Sequence, residues 1–205
     1  MQLEQVIQSY KAICDKEKTK LEKLKSKIFR IGSIRLAVVL LGAFAIYYFW
    51  FQPIQILIAL SLCSVVFLFL LKYHNSLFYK KRYAELQIEN AENELKGMSY
   101  DFSAFDGAAE KTDANHSYSL DLDLFGNHSF FQSINRTVTS YGKEELANKF
   151  LQPSYHKGTI LSNQAIIKEL SNKPKLLNHF RAIGQISETE HLDISNFIHQ
   201  FEQSK

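Results

Sequence analysis

The feature that most limits how this chain can fold is a pair of charge-free apolar runs separated only by Gln52-Pro53. Leu36–Phe51 reads LAVVLLGAFAIYYFWF, and Ile54–Leu71 reads IQILIALSLCSVVFLFLL. A helix crossing the hydrocarbon of a bilayer needs about 20 residues, and flanking Ile34 and Tyr73 bring each run to that length. Proline cannot continue the helical hydrogen-bond ladder, and one unbroken helix would be far too long for a membrane. The pattern therefore predicts a transmembrane hairpin over 34–73, with spans 36–51 and 54–71 and a minimal turn at Pro53. Leu36 and Leu71 bound the hairpin, and Trp50 lies in an aromatic cluster, Tyr47 to Phe51, that suits a helix end in the headgroup layer. A buried hairpin inside a soluble protein is the weaker reading, because the rest of the chain could not cover so much apolar surface.

Charge sets the orientation. Residues 1–82 carry thirteen Lys/Arg against four Asp/Glu, a net +9, whereas residues 83–205 carry eleven against seventeen, a net −6. Nine of the basic residues precede the first span, four follow the second, and the turn between the spans has none. The positive-inside rule then places both termini in the cytoplasm, at a bacterial-type inner (plasma) membrane. A cleavable signal peptide is not expected, since a long charged stretch precedes the apolar run and no small-residue cleavage site ends it. The spans hold no ionisable residue, which argues against a channel or transporter. Gln55, Ser61 and Ser64 suit helix–helix hydrogen bonding, so the hairpin reads as an anchor. Cys14 and Cys63 have no partner motif and predict neither a disulfide nor a zinc site.

Residues 1–33 and 74–98 read as helices on either side of the anchor. Leu3, Val6, Tyr10 and Ile13, then Leu21, Leu24 and Ile28, recur in steps of three and four. Tyr73, Leu77, Ala84, Ile88, Ala91 and Leu95 do the same up to Gly97, a helix stop. Both helices leave the bilayer on one side, so they can pair as a coiled-coil-like antiparallel stalk. Two independent amphipathic helices lying on the membrane are the alternative. Residues 99–119 turn small and polar without a sustained period and are expected to be a linker.

The last stretch, 120–205, reads as short helices. Thr139 or Ser140 caps one that Pro153 ends. A second runs over about 159–170. A third opens at Pro174 with Leu177, Phe180 and Ile183 as its buried stripe, and a fourth begins near Asp193 with Ile194, Phe197, Ile198 and Phe201. The fold class expected is all-α.

One segment carries a resemblance. Leu122–Pro153, LDLFGNHSFFQSINRTVTSYGKEELANKFLQP, has a short helix, then Asn135-Arg136-Thr137, Thr139 and Gly142, then a helix ending in Leu151-Gln152-Pro153. This order resembles the start of the core (lever) domain of the MutS mismatch-repair ATPase family, over roughly residues 120–200. The anchor and stalk are similar to a membrane-attached branch of such proteins. The resemblance implies that Asn135, Arg136, Thr137, Thr139, Gly142 and Pro153 are structural, with Arg136 in the core, pairing with a carboxylate or helix end rather than DNA. It also implies a homodimer, through the stalk or through domains beyond this chain, and a longer parent protein that binds ATP, magnesium and DNA.

The departures bound that expectation. No GxxxxGK[ST] phosphate loop occurs, so the chain lacks the cradle that ATP binding needs, and no catalytic residue, metal site or cofactor is expected in it. His128 and Ser129 are merely adjacent, which is not the geometry of a nucleophile and its base. Asp121 and Asp123 are expected to cap a helix start rather than to bind a metal. The acidic balance of 83–205 disfavours DNA binding by this chain alone. The competing function is a membrane-anchored helical scaffold or adaptor, with the bilayer and other proteins as its only partners.

Overall fold

The computed structural model describes residues 3–113 and 115–203, and every regular element among them is helical. Six α-helices follow one another: α1 Leu3–Tyr48, α2 Pro53–Gly97, α3 Phe130–Ile134, α4 Ser140–Leu151, α5 Lys157–Ser171 and α6 Pro174–Gln203. Glu17–Glu85 forms one compact unit, and the flanking stretches, up to Lys16 and from Leu86, form the other.

In the first unit two antiparallel helices meet at a tight turn. Gln52 donates its backbone N–H to Phe49 O at 2.7 Å, and Pro53 opens α2 at the one position where its missing N–H costs nothing. α1 stops at Tyr48 rather than at Phe51 as expected. The residue before a proline is pushed out of helical geometry, so 49–52 are consumed by the turn. Leu24, Leu77 and Ala84 form a small core with Ile28 and Ile31. Beyond that core the surface turns apolar: Leu40 is 61% exposed, Leu57 70% and Phe69 72%. Both helices are long and apolar enough to cross a membrane, and almost none of either apolar stretch is buried by the protein. Leu36 and Trp50 are likewise exposed, and Leu71 is half-buried.

The second unit begins with the outer ends of the same two helices. Tyr10, Ile13 and Cys14 pack on Ala91, with Val6, Leu95 and Met98 around them. These are the three-and-four steps of the sequence, here meeting across a helix pair. After Gly97 the chain turns sharply, Asp101 N–H returning to Lys96 O at 3.1 Å.

Residues 99–119 are not a linker. Phe105 and Ala108 are buried, Ala108 inside a cluster with Leu124, Phe125, Phe131 and Ala147. Gly126 N–H donates to Gly107 O at 2.8 Å, and a Cβ on Gly107 would collide with the Gly126 backbone, so only glycine fits there. Phe105 and Ala108 stand three apart among polar residues, too sparse for a periodic pattern to reveal. The segment is a strap held by its backbone.

The core around Phe131 is aromatic. Its ring centroid lies 5.3 Å from that of Phe125 and 6.1 Å from that of Phe150, and the Tyr118 hydroxyl donates to Phe150 O at 2.7 Å. Thr139 caps α4, as the sequence indicates, but α3 is capped by Ser129. Asp121 and Asp123 lie in the preceding turns, Asp123 with φ of 46°, and begin no helix.

α6 departs most from expectation. It is one helix through Gln203 rather than two, and the side chains of Ile194, Phe197, Ile198 and Phe201 lie outside the described residues. Of the expected stripe Leu177 is half-buried, but Phe180 is 72% exposed and Ile183 is exposed as well, while Pro174, Asn178, Ala182 and Ile186 are buried. The inner face of α6 is mixed: Pro174, Ala182 and Ile186 lie beside Asn178, which meets a polar partner on α2.

Phe131→Ala removes the centre of the aromatic cluster. The expected cost is about 3–5 kcal/mol, read as a loss of hydrogen-exchange protection confined to 105–151 in the detergent-solubilised protein.

Candidate functional site

The final turns of α2 carry Gln87, Asn90 and Glu94, spaced three and four apart so that they share one face. Asn178, Arg181 and Gln185 repeat that spacing on α6. The two rows interlock. Asn178 Nδ2 donates to Gln87 O at 3.1 Å and to the Gln87 side-chain oxygen, and Asn90 Nδ2 donates to Gln185 Oε1 at 2.8 Å. Asn90 and Asn178 are 1% and 2% exposed, deeper than most apolar residues nearby. Their Nδ2 groups find these acceptors, while the Oδ1 of each is buried without a hydrogen-bond partner, and losing the remaining bonds would destabilise the fold. A displacement by one residue would strand both amides, so the ladder sets how α6 seats on α2.

At its end Glu94 Oε1 accepts from Arg136 Nε at 2.7 Å and from Arg181 Nη1 at 2.6 Å. One carboxylate thus holds two guanidiniums. Arg136 Nη1 also donates to Ser133 O and Asn135 O, both at 3.0 Å, closing the carboxyl end of α3, and its guanidinium carbon lies 3.5 Å from the Phe105 ring centroid. Carboxylate and helix end, the two partners expected for Arg136, are engaged together. Gly97 makes room for it, since a Cβ there would come within 3.3 Å of Arg136 Nη2. Tyr10 sits beside the cluster, where burial first, and the Glu94 charge second, push its phenol above the ordinary range. Burial draws Arg181 below the usual guanidinium value, which starts so high that the group stays charged.

The neighbouring motif residues do local structural work. Asn135 Nδ2 reaches back to Asp106 O at 2.8 Å, while its Oδ1 accepts from Thr137 N and Oγ1 at 3.0 and 2.7 Å. Thr139 Oγ1 accepts from Gly142 N–H at 3.1 Å, and a Cβ on Gly142 would come within 3.1 Å of the same oxygen. Such a cap contributes about 1 kcal/mol. Pro153 follows the last turn of α4, which ends at Leu151 with Gln152 as its cap.

Beside Asn135 lies a polar cavity of about 260 Å³ lined by Asp106, Thr137, Ser140, Lys143 and Glu188 among others. Lys143 reaches Asp106 at 2.9 Å and Glu110 at 2.8 Å. The Ala108 backbone N–H, then Lys143, hold Asp106 below the ordinary carboxylate range. Lys143 lowers Glu110 in turn, and the two acids raise Lys143.

No nucleophile with an adjacent base stands out in this arrangement. Ser129 Oγ accepts from Gln132 N–H as a helix cap, and His128, with φ of 60°, donates its backbone N–H to Gln132 Oε1. No cluster of His, Cys, Asp or Glu able to hold a metal occurs among the described residues. The site is a junction between helices. The sequence pointed to Arg136 but not to Glu94, Arg181 or the amide ladder. The signal was the polar row 87, 90, 94 running beside the apolar stripe of α2. No protein-family model, curated protein or solved structure matches the chain.

Glu94→Gln leaves two guanidiniums facing each other without a counter-charge. The expected loss is about 3 kcal/mol, measured as hydrogen-exchange protection lost along 174–188, with the aromatic core less affected. The acids around Lys143 give a pH dependence. A depressed folded pKa adds stability above the unfolded value, near pH 4, and that stability is lost as pH falls through the folded value. Lys143→Met should therefore flatten the acid side of the stability profile below about pH 4, as followed by circular dichroism. A wild-type profile already flat there would contradict this.

Proposed function

We propose that this chain is the membrane-tethered front part of a MutS-like protein, a two-helix anchor holding a helical core segment at the cytoplasmic face of a bacterial-type inner membrane. The observation that carries the reading is the grip of Arg136 on Glu94. Arg136 belongs to the run Asn135 to Pro153 that resembles the MutS core domain, and Glu94 belongs to the helix that begins as the second apolar span. Arg136 bonds α2 directly, and Asn135 and Thr139 shape the loop and helix start on either side of it, which suits a segment whose role is to transmit position. The basic flanks and the uncharged turn support cytoplasmic termini. In this reading the chain binds no nucleotide, and ATP, magnesium and DNA belong to the rest of a longer, dimeric protein.

A second reading, a membrane-anchored scaffold, draws on α5. None of its residues is buried, and Ile160, Leu161, Ile166 and Ile167 are all exposed. Such a face fits protein contacts.

Two measurements separate these readings. Coding sequence downstream of Lys205 should carry a phosphate-binding loop, and a native stop codon at that point leaves only the scaffold. For topology, a fluorescent protein fused to either end should fluoresce, and alkaline phosphatase inserted at Gln52 should be active. An active phosphatase at the carboxyl end would overturn the orientation.

A further inference from the structure

We infer that the groove between the two apolar spans is a binding site for an anionic phospholipid, with an acyl chain along Gly42 and Cys63 and the headgroup phosphate at Arg35. The inference rests on the reading that the spans cross a bilayer. The groove has a volume of about 600 Å³ and is lined by Val38, Gly42, Ile46, Leu60, Cys63 and Phe67 with their neighbours. There is room beside position 42, where even a Cβ would come no nearer than 3.9 Å to Leu60 and 4.0 Å to Cys63.

One end of the groove is charged. Arg35 stands one helical turn before Val38 and Val39, and its guanidinium carbon lies 5.1 Å from the ring centroid of Phe67, a lining residue. Its Nε is buried and has no hydrogen-bond partner. A buried guanidinium nitrogen calls for an acceptor, and phosphate oxygens match its fork geometry. The chain itself offers no acid nearby, since no Asp or Glu occurs between Glu22 and Glu85. Lys72, one turn beyond Leu68 and exposed, adds a second positive charge at that end. Uncompensated charge favours an anionic headgroup over a zwitterionic one. The spans of a second copy are the poorer occupant, because between Glu22 and Glu85 they would bring further basic residues and no acid.

The test uses the full chain in phosphatidylcholine vesicles containing phosphatidylglycerol with a photoactivatable group midway along its acyl chain. Carbonate extraction first establishes that the chain is integral. Labelling should concentrate on the groove face around Gly42 and Cys63, and Arg35→Gln should lower it about fivefold, the value of one basic contact at an anionic surface. Arg35→Lys should retain most of it. Gly42→Leu, which fills the groove and leaves Arg35 in place, should abolish groove labelling while helicity is kept. Equal labelling by a phosphatidylcholine probe, or indifference to Arg35→Gln, overturns the site. Disulfide formation between Cys63 of two chains in place of lipid labelling assigns the groove to a second copy and overturns it too. A chain released by carbonate defeats the membrane reading itself, whereas an integral chain labelled evenly defeats only the lipid site.

Discussion

A carboxylate shared by two guanidiniums fastens the end of α2 to the downstream helices. Glu94 receives Arg136 from the loop after α3 and Arg181 from α6. Burying charge is unfavourable unless partners and hydrogen bonds replace water, and here they do so in large part, Arg181 Nε being buried without a hydrogen-bond partner. Arg136 satisfies two carbonyls as well as the acid and lies flat against Phe105. The strap from 99 to 113 has little apolar surface of its own, so its position depends on these contacts and on the Asn135 bond to Asp106 O. Hydrophobic packing alone would tolerate some sliding of the helices. The charge cluster and the amide ladder do not, because their bonds are directional.

This division of labour explains which parts of the fold were legible in the sequence. The paired runs around Pro53, the helix stop at Gly97, the Thr139 cap and the break before Pro153 are local signals whose physics acts within a few residues, and the helices start and stop there. α6 failed the same treatment. Its apolar stripe at Leu177, Phe180 and Ile183 marks a helix correctly but misplaces Phe180 and Ile183, which are exposed, because periodicity assumes that apolar residues go inside. Here α2 offers Gln87, Asn90 and Glu94, and the matching polar row turns inward. The strap was missed for a related reason: its backbone is held by partners some twenty to thirty residues away, Gln132 on Phe105 O, Asn135 on Asp106 O and Gly126 on Gly107 O, and nothing local announces them.

Two different solvents are implied by the two units. In residues 17–85 apolar side chains lie outward and the buried cluster is small. That arrangement would be untenable in water for so large an area, yet it is the ordinary condition of a helix pair in lipid, where packing and interfacial charge replace hydrophobic collapse. The lack of acids from Lys23 to Ala84 follows the same logic: apart from Lys25 on Glu22 and Lys81 on Glu85, no ion pair is described for the basic residues there, which suits an anionic surface. In the other unit the pattern reverses: acids outnumber bases from residue 83 onward and aromatic rings are gathered inside.

The outward apolar face of α5 and α6 belongs to neither pattern. It sits in the unit with the aromatic core, yet Ile166, Ile167, Leu176 and Phe180 are each at least half exposed. Rotating α6 would bury Phe180 and Ile183, but it would break the bonds of Asn178 to Gln87, of Asn90 to Gln185 and of Arg181 to Glu94. Buried amides and a charge stripped of their partners cost more than two apolar side chains gain. Directional hydrogen bonds on the inner side therefore set the position of α6, and they leave outward an apolar face of the kind that suits contacts with other apolar surfaces.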